Sequence, residues 1–442
     1  MTDDVRGLVG RGPLSSFQLI AILVCIGLNM LDGFDVLAMS FSATGVKVAW
    51  SLADSRLGWL LSAGLLGMAG GSLLLAPCAD ALGRRRIVLL CVAIAAAGML
   101  GSVAARGFGD LLALRVLTGI GIGGTIASVA VVVSEYSPDR WRSAALAAYS
   151  TGYPIGATLG GWLTTLAIPR YGWRSTFAIG GVLTLALLLV AAWRLPESLD
   201  FLAVRRPPGA LGRLNALLER MGRPALRALP ESTDSVSAKG VPLRLLLTPT
   251  TALVWMTFFC TMAGFYFFVS WTPRLLNAAG LSVAQGLTAG VLLNVGGILG
   301  CGGFAVAALR ADAQRLLLGA LLASALLICG FGAVLHQLEP AMWTAWLLGV
   351  LSNAAMSGLY AVGPPLYPTA VRATGMGFAI GVGRFGAIVA PILSGTLLDH
   401  GWAPAQLYFL FSVPFAVAAV ATLAIRWLGA PAAMLTQRTV SP

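Results

Sequence analysis

Twelve apolar stretches, each of about twenty residues or more, recur along this chain of 442 residues and constrain its fold more than any other feature. A helix needs about 20 apolar residues to cross the hydrocarbon of a bilayer. Lipid offers no partner to a backbone N–H or C=O, so only helices and closed barrels span it. These runs are too long for barrel strands, which take about 9–11 residues. They fall at 16–40, 57–79, 86–105, 109–134, 143–168, 174–194, 248–272, 284–308, 315–336, 341–363, 373–398 and 404–428. Only 10% of residues are charged, against about 25% in a soluble domain. The first run lacks a small-residue cleavage site after a short apolar core, so it reads as a retained helix rather than a signal peptide. The predicted class is an all-α membrane protein with twelve transmembrane helices, its principal partner the lipid bilayer.

A polar segment at 195–247, rich in Arg, Pro and Ser, divides the runs six and six. The predicted organisation is an N-terminal six-helix half (1–194), a cytoplasmic linker (195–247) and a C-terminal six-helix half (248–442). Charge sets the orientation. With the N-terminus inside, the inward loops and linker carry seventeen basic residues: Arg84, Arg85, Arg86, Arg140, Arg142, Arg310, Arg315, Arg372, and a linker set from Arg194 to Arg244 that includes Lys239. The outward loops carry six: Lys47, Arg56, Arg106, Arg170, Arg174 and Arg274. The positive-inside rule then places both termini in the cytoplasm, and the expected location is a bacterial inner membrane. The formal charge of +12 orients the chain, and no nucleic-acid partner is needed to explain it.

The halves echo one another. Pro138 and Arg142 recur as Pro368 and Arg372, Gly156 meets Gly386 at the same offset, and Tyr171-Gly172-Trp173 nearly matches His400-Gly401-Trp402. Repeated six-helix halves around a midplane cavity are a transporter plan.

Only four ionisable residues lie well inside the runs: Asp32, Asp35, Arg115 and Arg384. Intramembrane charges face a bundle interior or an aqueous path. Asp32 and Asp35 share a helix face with Asn29 one turn away. Arg115 begins the fourth span, which runs inward, and so reaches the same outer depth as the aspartates; an ion pair is expected, whether for coupling or as a brace. Two close carboxylates in a low dielectric do not both ionise easily, the behaviour a proton-coupling site requires. Arg384 sits about twelve residues into the eleventh span with no acid on its own helix. A guanidinium fork suits a carboxylate, so Arg384 is the expected anchor for an anionic substrate. The seventh span has seven aromatics plus Trp271 at its outer end, suited either to a flat ring or to an interfacial belt; Tyr266 is the expected cavity residue. Asn294 and Asn353 are candidate donors to a ring hydroxyl, or interhelical glue. Gly119 and Gly123, and Gly152, Gly156 and Gly160, have the spacing of close helix packing.

Nothing points to an enzyme. His336 and His400 lie near outward loops, and the six cysteines have no metal-ligand spacing. The GIGIGG run follows a helical stretch rather than a strand, so it is no dinucleotide fingerprint. No cofactor is expected.

These residues make the chain resemble the major facilitator superfamily. ADALGRRR (79–86) is similar to its loop between spans two and three, with Asp80, Gly83, Arg84 and Arg85 matching and Ala76, Cys78 and Ala81 departing; RVLTGIG (115–121) is similar to its fourth-helix motif. More narrowly, LDGFD (31–35), SEYSP (134–138), PES (196–198), YPTAVRATGMG (367–377) and GRFGAI (383–388) together resemble the aromatic acid:proton symporters. The resemblance implies import of a small aromatic carboxylate of the benzoate or hydroxybenzoate type with protons, by alternating access, with the proton gradient as energy source and a monomer sufficient. By residue it implies proton coupling at Asp32, Asp35, Arg115 and Glu135, gating at Asp80, Gly83 and Arg84, and substrate binding at Arg384. Glu135 also stands beside Arg140 and Arg142, where a salt bridge to those arginines would be structural or would itself be the gate. Two other functions fit the same spans: a proton antiporter exporting organic acids or drugs, mildly disfavoured by Gly156-Ala157 where antiporters often carry Gly-Pro, and a membrane ligand sensor.

Overall fold

The computed structural model describes residues 5–229, 248–367 and 371–428. Pro368 of the repeat, and Lys239, Arg244 and Arg438, lie outside the described residues. Every regular element among the described residues is helical. In order they are α1 (Val5–Gly10), α2 (Ser16–Trp50), α3 (Asp54–Leu74), α4 (Ala76–Leu82), α5 (Arg84–Val103), α6 (Phe108–Tyr136), α7 (Asp139–Tyr171), α8 (Arg174–Arg194), α9 (Leu199–Arg205), α10 (Ala210–Arg220), α11 (Pro249–Ala278), α12 (Val283–Ala307), α13 (Ala313–Val334), α14 (Leu338–Val362), α15 (Arg372–Asp399) and α16 (Pro404–Leu428), with a 3₁₀ turn at Pro364–Leu366.

Eleven helical stretches among the described residues are long and apolar enough to cross a membrane, one of them α3 continued through α4. The expected fifth span is α7, 33 residues long but diluted by Ser150, Thr151, Thr158, Thr164 and Thr165. All of these except Thr164 return their hydroxyls to a carbonyl four residues back on the same helix, which is how a polar side chain is tolerated at depth. The largest boundary difference is at α2, expected to end at residue 40 but continuous to Trp50. Ser40 and Ser42 account for this: their hydroxyls donate to carbonyls of other segments, Ser270 and Trp173. Tertiary packing thus overrides the local polarity.

Packing divides the chain into two compact units. The first comprises residues 1–36, 66–160 and 174–237; the second comprises 37–65, 161–173 and 238–442. In the first unit, glycines carry the helix contacts. A Cβ on Gly156 would fall on the Met30 carbonyl, one on Gly33 on the Tyr153 carbonyl, and one on Gly123 on the Met68 carbonyl. The small residues of the fourth and fifth spans therefore set α6 against α3, and α7 against the part of α2 that holds the aspartates. Because the obstacle is backbone, no side chain can swing aside. Gly156→Leu is expected to cost at least the roughly 1–3 kcal/mol of an overpacked core, read as loss of monodisperse protein in size-exclusion chromatography and a lower Tm.

The segment expected as a polar linker contains α9 and α10. Leu199, Leu202, Leu214 and Leu218 are buried in one core cluster with Val5, Val9 and Tyr136, so these short helices are docked on the first unit.

In the second unit the C-terminal stretches of α2 and α7 and the N-terminal stretch of α3 pack on α11, α12 and α15. Ser62 donates to the Ile388 carbonyl, and Cβ atoms on Gly58 and Gly395 would meet the Pro391 carbonyl and the Asp54 carbonyl. The Asp399 carboxylate caps the start of α3 by accepting from the Asp54 and Ser55 amides at 2.8 and 2.9 Å, while Lys47 and Arg274 pair with the Asp54 side chain. The aromatics of α11 are mostly core: Phe258, Phe267, Phe268 and Trp271 are at most 1% exposed. Phe267 stacks on Phe411 at 4.1 Å, and Trp271 donates its indole N–H to the Pro391 carbonyl. Trp271 is therefore a packing residue and no part of an interfacial belt.

Candidate functional site

The four intramembrane charges are divided between the units. Asp32, Asp35 and Arg115 belong to the first, Arg384 to the second. Arg115 presents its fork to Asp35: Nη1 donates to Oδ1 at 2.9 Å and Nη2 to Oδ2 at 2.8 Å. Nη2 also donates to the Asp35 carbonyl at 3.1 Å, and Nη1 to the Met99 sulfur. The guanidinium lies 5.5 Å from the Phe177 ring. Arg115 is 1% exposed and Asp35 4%, so the pair is buried from bulk solvent, and its tolerance there depends on this bidentate geometry. The ion pair inferred from matching depths is present.

Asp32, Asp35 and Asn29 face a cavity of about 30 Å³ inside the first unit. One water needs roughly 10–15 Å³ on such a measure, so about two waters fit and an aromatic acid does not. Asn29 is fixed by its amide, which donates to the Tyr149 carbonyl at 2.6 Å. The opposite wall includes Thr118, Ile122, Thr125 and Val129, which continue from Arg115 at helical spacing along one face of α6. Thr118 and Thr125 spend their protons on carbonyls one turn back and keep lone pairs that can accept. This stripe was not singled out from the sequence, although the three- and four-residue spacing from Arg115 is legible there.

Glu135 belongs to a second constellation at the arginine-rich end of the first unit. Its partners are not Arg140 and Arg142. Ser198 Oγ donates to Oε1 at 2.9 Å, the Leu199 amide to Oε2 at 2.9 Å, and Arg84 Nη1 lies 3.5 Å from Oε1. Glu135 thus sits at the N-terminus of α9, where free amides and the helix dipole favour an anion. Arg84 also binds Asp80 at 3.1 Å, and Arg205 at the end of α9 donates to the Asp80 carbonyl. Gly83 joins α4 to α5 at φ +101°, and a Cβ there would meet the Glu197 carboxylate. Glu197 accepts from the Arg85 and Ser198 amides. Asp80, Gly83, Arg84 and Glu135 are therefore brought together around the start of α9, and Glu197 and Ser198 complete the set. Arg142 pairs instead with Asp139. Glu135→Ala removes two charge-assisted hydrogen bonds, about 1.5–3 kcal/mol each. Trypsin is expected to cut at Arg205 or Arg206 at least ten-fold faster in that variant.

In the second unit, Arg384 is half-buried on α15 and makes no hydrogen bond or ion pair among the described residues. Tyr266 stands edge-on to Phe265 on α11 at 5.4 Å. Asn294 and Asn353 donate their amides to the Gly290 and Gly349 carbonyls, one turn back on their own helices. Asn353 also fills the space over Gly297, next to the backbone contacts that join α12 and α14 at Gly296, Gly300 and Gly349. Its present contacts are those of interhelical packing.

Comparison with known proteins agrees with this architecture. The family model described as Major Facilitator Superfamily matches residues 19–359. A gallate transporter of Pseudomonas putida is 33% identical, over 95% of this chain and 94% of that protein. A 4-hydroxybenzoate transporter of Pseudomonas aeruginosa is also 33% identical, over 95% of each chain. A 3-(3-hydroxy-phenyl)propionate transporter of Escherichia coli is 30% identical, over 88% of this chain and 90% of that protein. Among solved structures, the inward open xylose transporter of Escherichia coli superposes with a TM-score of 0.75 at 16% identity, covering 92% of this chain and 95% of its own. The chain is a multi-pass membrane transporter, and it belongs to the major facilitator superfamily.

Proposed function

We propose that this transporter imports a small aromatic carboxylate together with protons by alternating access. Arg384 carries the reading: a half-buried guanidinium in the middle of a spanning helix, without an acid partner among the described residues. A cation at that depth is costly unless something neutralises it, and a substrate carboxylate is the counter-ion that fits its fork. The relatives named for gallate, 4-hydroxybenzoate and 3-(3-hydroxy-phenyl)propionate support an aromatic acid as cargo. In this reading Tyr266 flanks the ring, and Asn294 and Asn353 turn an amide toward a ring hydroxyl when the site is filled. The arginine-rich end faces the cytoplasm, the membrane is the bacterial inner membrane, and one chain suffices.

Proton coupling is assigned to the first unit. Both Asp35 oxygens are held by Arg115, so a proton arriving there must displace the fork. Asp32 lines the same water-sized cavity and is the carboxylate we assign to proton uptake and release. The constellation of Asp80, Arg84 and Glu135 then acts as the inner gate, loosening when α9 is released.

Proteoliposomes with an inward proton gradient and labelled 4-hydroxybenzoate test this. The wild type is expected to accumulate the acid. Asp32→Asn is expected to lose gradient-driven accumulation by at least ten-fold while keeping exchange of internal for external acid. Full accumulation in both Asp32→Asn and Asp35→Asn would remove the proton role, and acid efflux against proton influx would identify an antiporter.

A further inference from the structure

A pocket of about 830 Å³ opens at the arginine-rich end of the first unit, beside the Glu135 constellation, with which it shares Glu197. Its walls are the first turns of α2 and α5, the end of α8, and α10. Five arginines line it: Arg85, Arg86, Arg194, Arg213 and Arg220. The carboxylate in the lining is Glu197, which is engaged by the Arg85 and Ser198 amides. Among the described residues none of the five arginines forms an ion pair. Five guanidinium groups around one space repel one another, and the single lining carboxylate balances only one of them, so the pocket favours an anion.

Three of the five are already oriented. Arg85 donates to the Ala192 carbonyl at 2.6 Å, Arg194 lies over the Trp193 ring at 3.8 Å, and Arg220 lies 5.8 Å from the Phe17 ring. Arg86 and Arg213 are exposed and engaged by no described residue. Directed guanidinium donors around an open space of this size match a phosphate.

The surroundings select the source of that phosphate. On the same three spanning helices, one turn deeper into the apolar segments, Leu23 is 55% exposed, Leu90 50% and Leu189 65%. Three exposed leucines, one on each helix, therefore stand one turn deeper than the pocket, on the side where acyl chains lie. Trp193, 76% exposed, stands at the junction, the level that amphipathic rings prefer. We propose that this pocket seats the phosphodiester headgroup of an anionic phospholipid, with its chains on the exposed leucines, and that the lipid ties α10 to the ends of α2, α5 and α8. Basic pockets between spanning helices are a recurrent form of headgroup recognition. The proposal is independent of which acid the transporter carries.

The test uses the full chain, purified in detergent and stripped of lipid. Native mass spectrometry with equal phosphatidylglycerol and phosphatidylcholine is expected to retain phosphatidylglycerol adducts selectively, and phosphatidylglycerol alone is expected to raise Tm. The double variant Arg86→Gln/Arg213→Gln is expected to bind phosphatidylglycerol roughly 30-fold more weakly, the effect of two interfacial charges, with an unchanged lipid-free Tm. Equal retention of the two lipids by the wild type overturns the proposal whatever the variant does. Wild-type affinity in a folded double variant also overturns it. An equal Tm rise with inorganic phosphate alone identifies a soluble-anion site and overturns the lipid assignment.

Discussion

Arg115→Ala is expected to lower stability by about 3–5 kcal/mol, because it leaves the Asp35 carboxylate buried without the fork that holds both its oxygens. Asp35→Asn should be of the same kind, stranding a guanidinium that is 1% exposed. The informative variant is the double replacement Asp35→Asn/Arg115→Gln. Removing both charges removes both desolvation penalties, so much of the lost stability should return and the coupling energy should exceed about 1 kcal/mol. Transport should remain absent in all three. Thermal unfolding in detergent, followed by uptake in proteoliposomes, separates the effects. If Arg115→Ala unfolds within 1 kcal/mol of wild type, the pair neither braces the helices nor governs the cavity.

The second large effect is on affinity rather than stability. Arg384→Lys keeps the charge but replaces a planar fork with a point donor. The loss of one charge-assisted hydrogen bond, about 1.5–3 kcal/mol, raises the KM for an aromatic carboxylate roughly 10- to 100-fold. Arg384→Ala should raise it further. Because Arg384 forms no ion pair among the described residues, neither variant strands a buried carboxylate, and Tm should stay near wild type in both. Unchanged KM in Arg384→Lys would show that the carboxylate binds elsewhere.

Much of this architecture is legible in the sequence because a bilayer permits so few solutions. Length and apolarity locate the spans, and the matching depths of Arg115 and the two aspartates along their expected spans point to an ion pair without choosing which aspartate holds it. The signal fails where a third element decides the outcome. Glu135 stands beside two arginines in the chain, but the docking of α9 hands it to Ser198, Leu199 and Arg84. The first span is expected to end at residue 40, yet α2 continues to Trp50, and Ser40 and Ser42 donate to carbonyls of distant segments. The α11 aromatics suit lipid, belt or cavity equally by composition, and their burial against α16 follows from packing of the second unit. Asn294 and Asn353 are recognisable as polar residues at depth, but an amide's choice between its own helix and a neighbour is a matter of rotamer, on which a sequence is silent.

The glycine contacts between α2 and α7 have a mechanical side. Where Gly156 meets the Met30 carbonyl and Gly33 the Tyr153 carbonyl, two backbones touch directly, flanked by the Asn29 amide on the Tyr149 carbonyl and the Phe34 ring over Gly160. Surfaces of that kind resist pressure because nothing at the point of contact can rotate out of the way. The helix that carries Asp32 and Asp35 is thus held against α7 at a distance set by backbone clearance. A saturation-mutagenesis scan would find these glycines as intolerant as any charged residue, for reasons of clearance alone, and a redesign of substrate preference should leave that contact untouched.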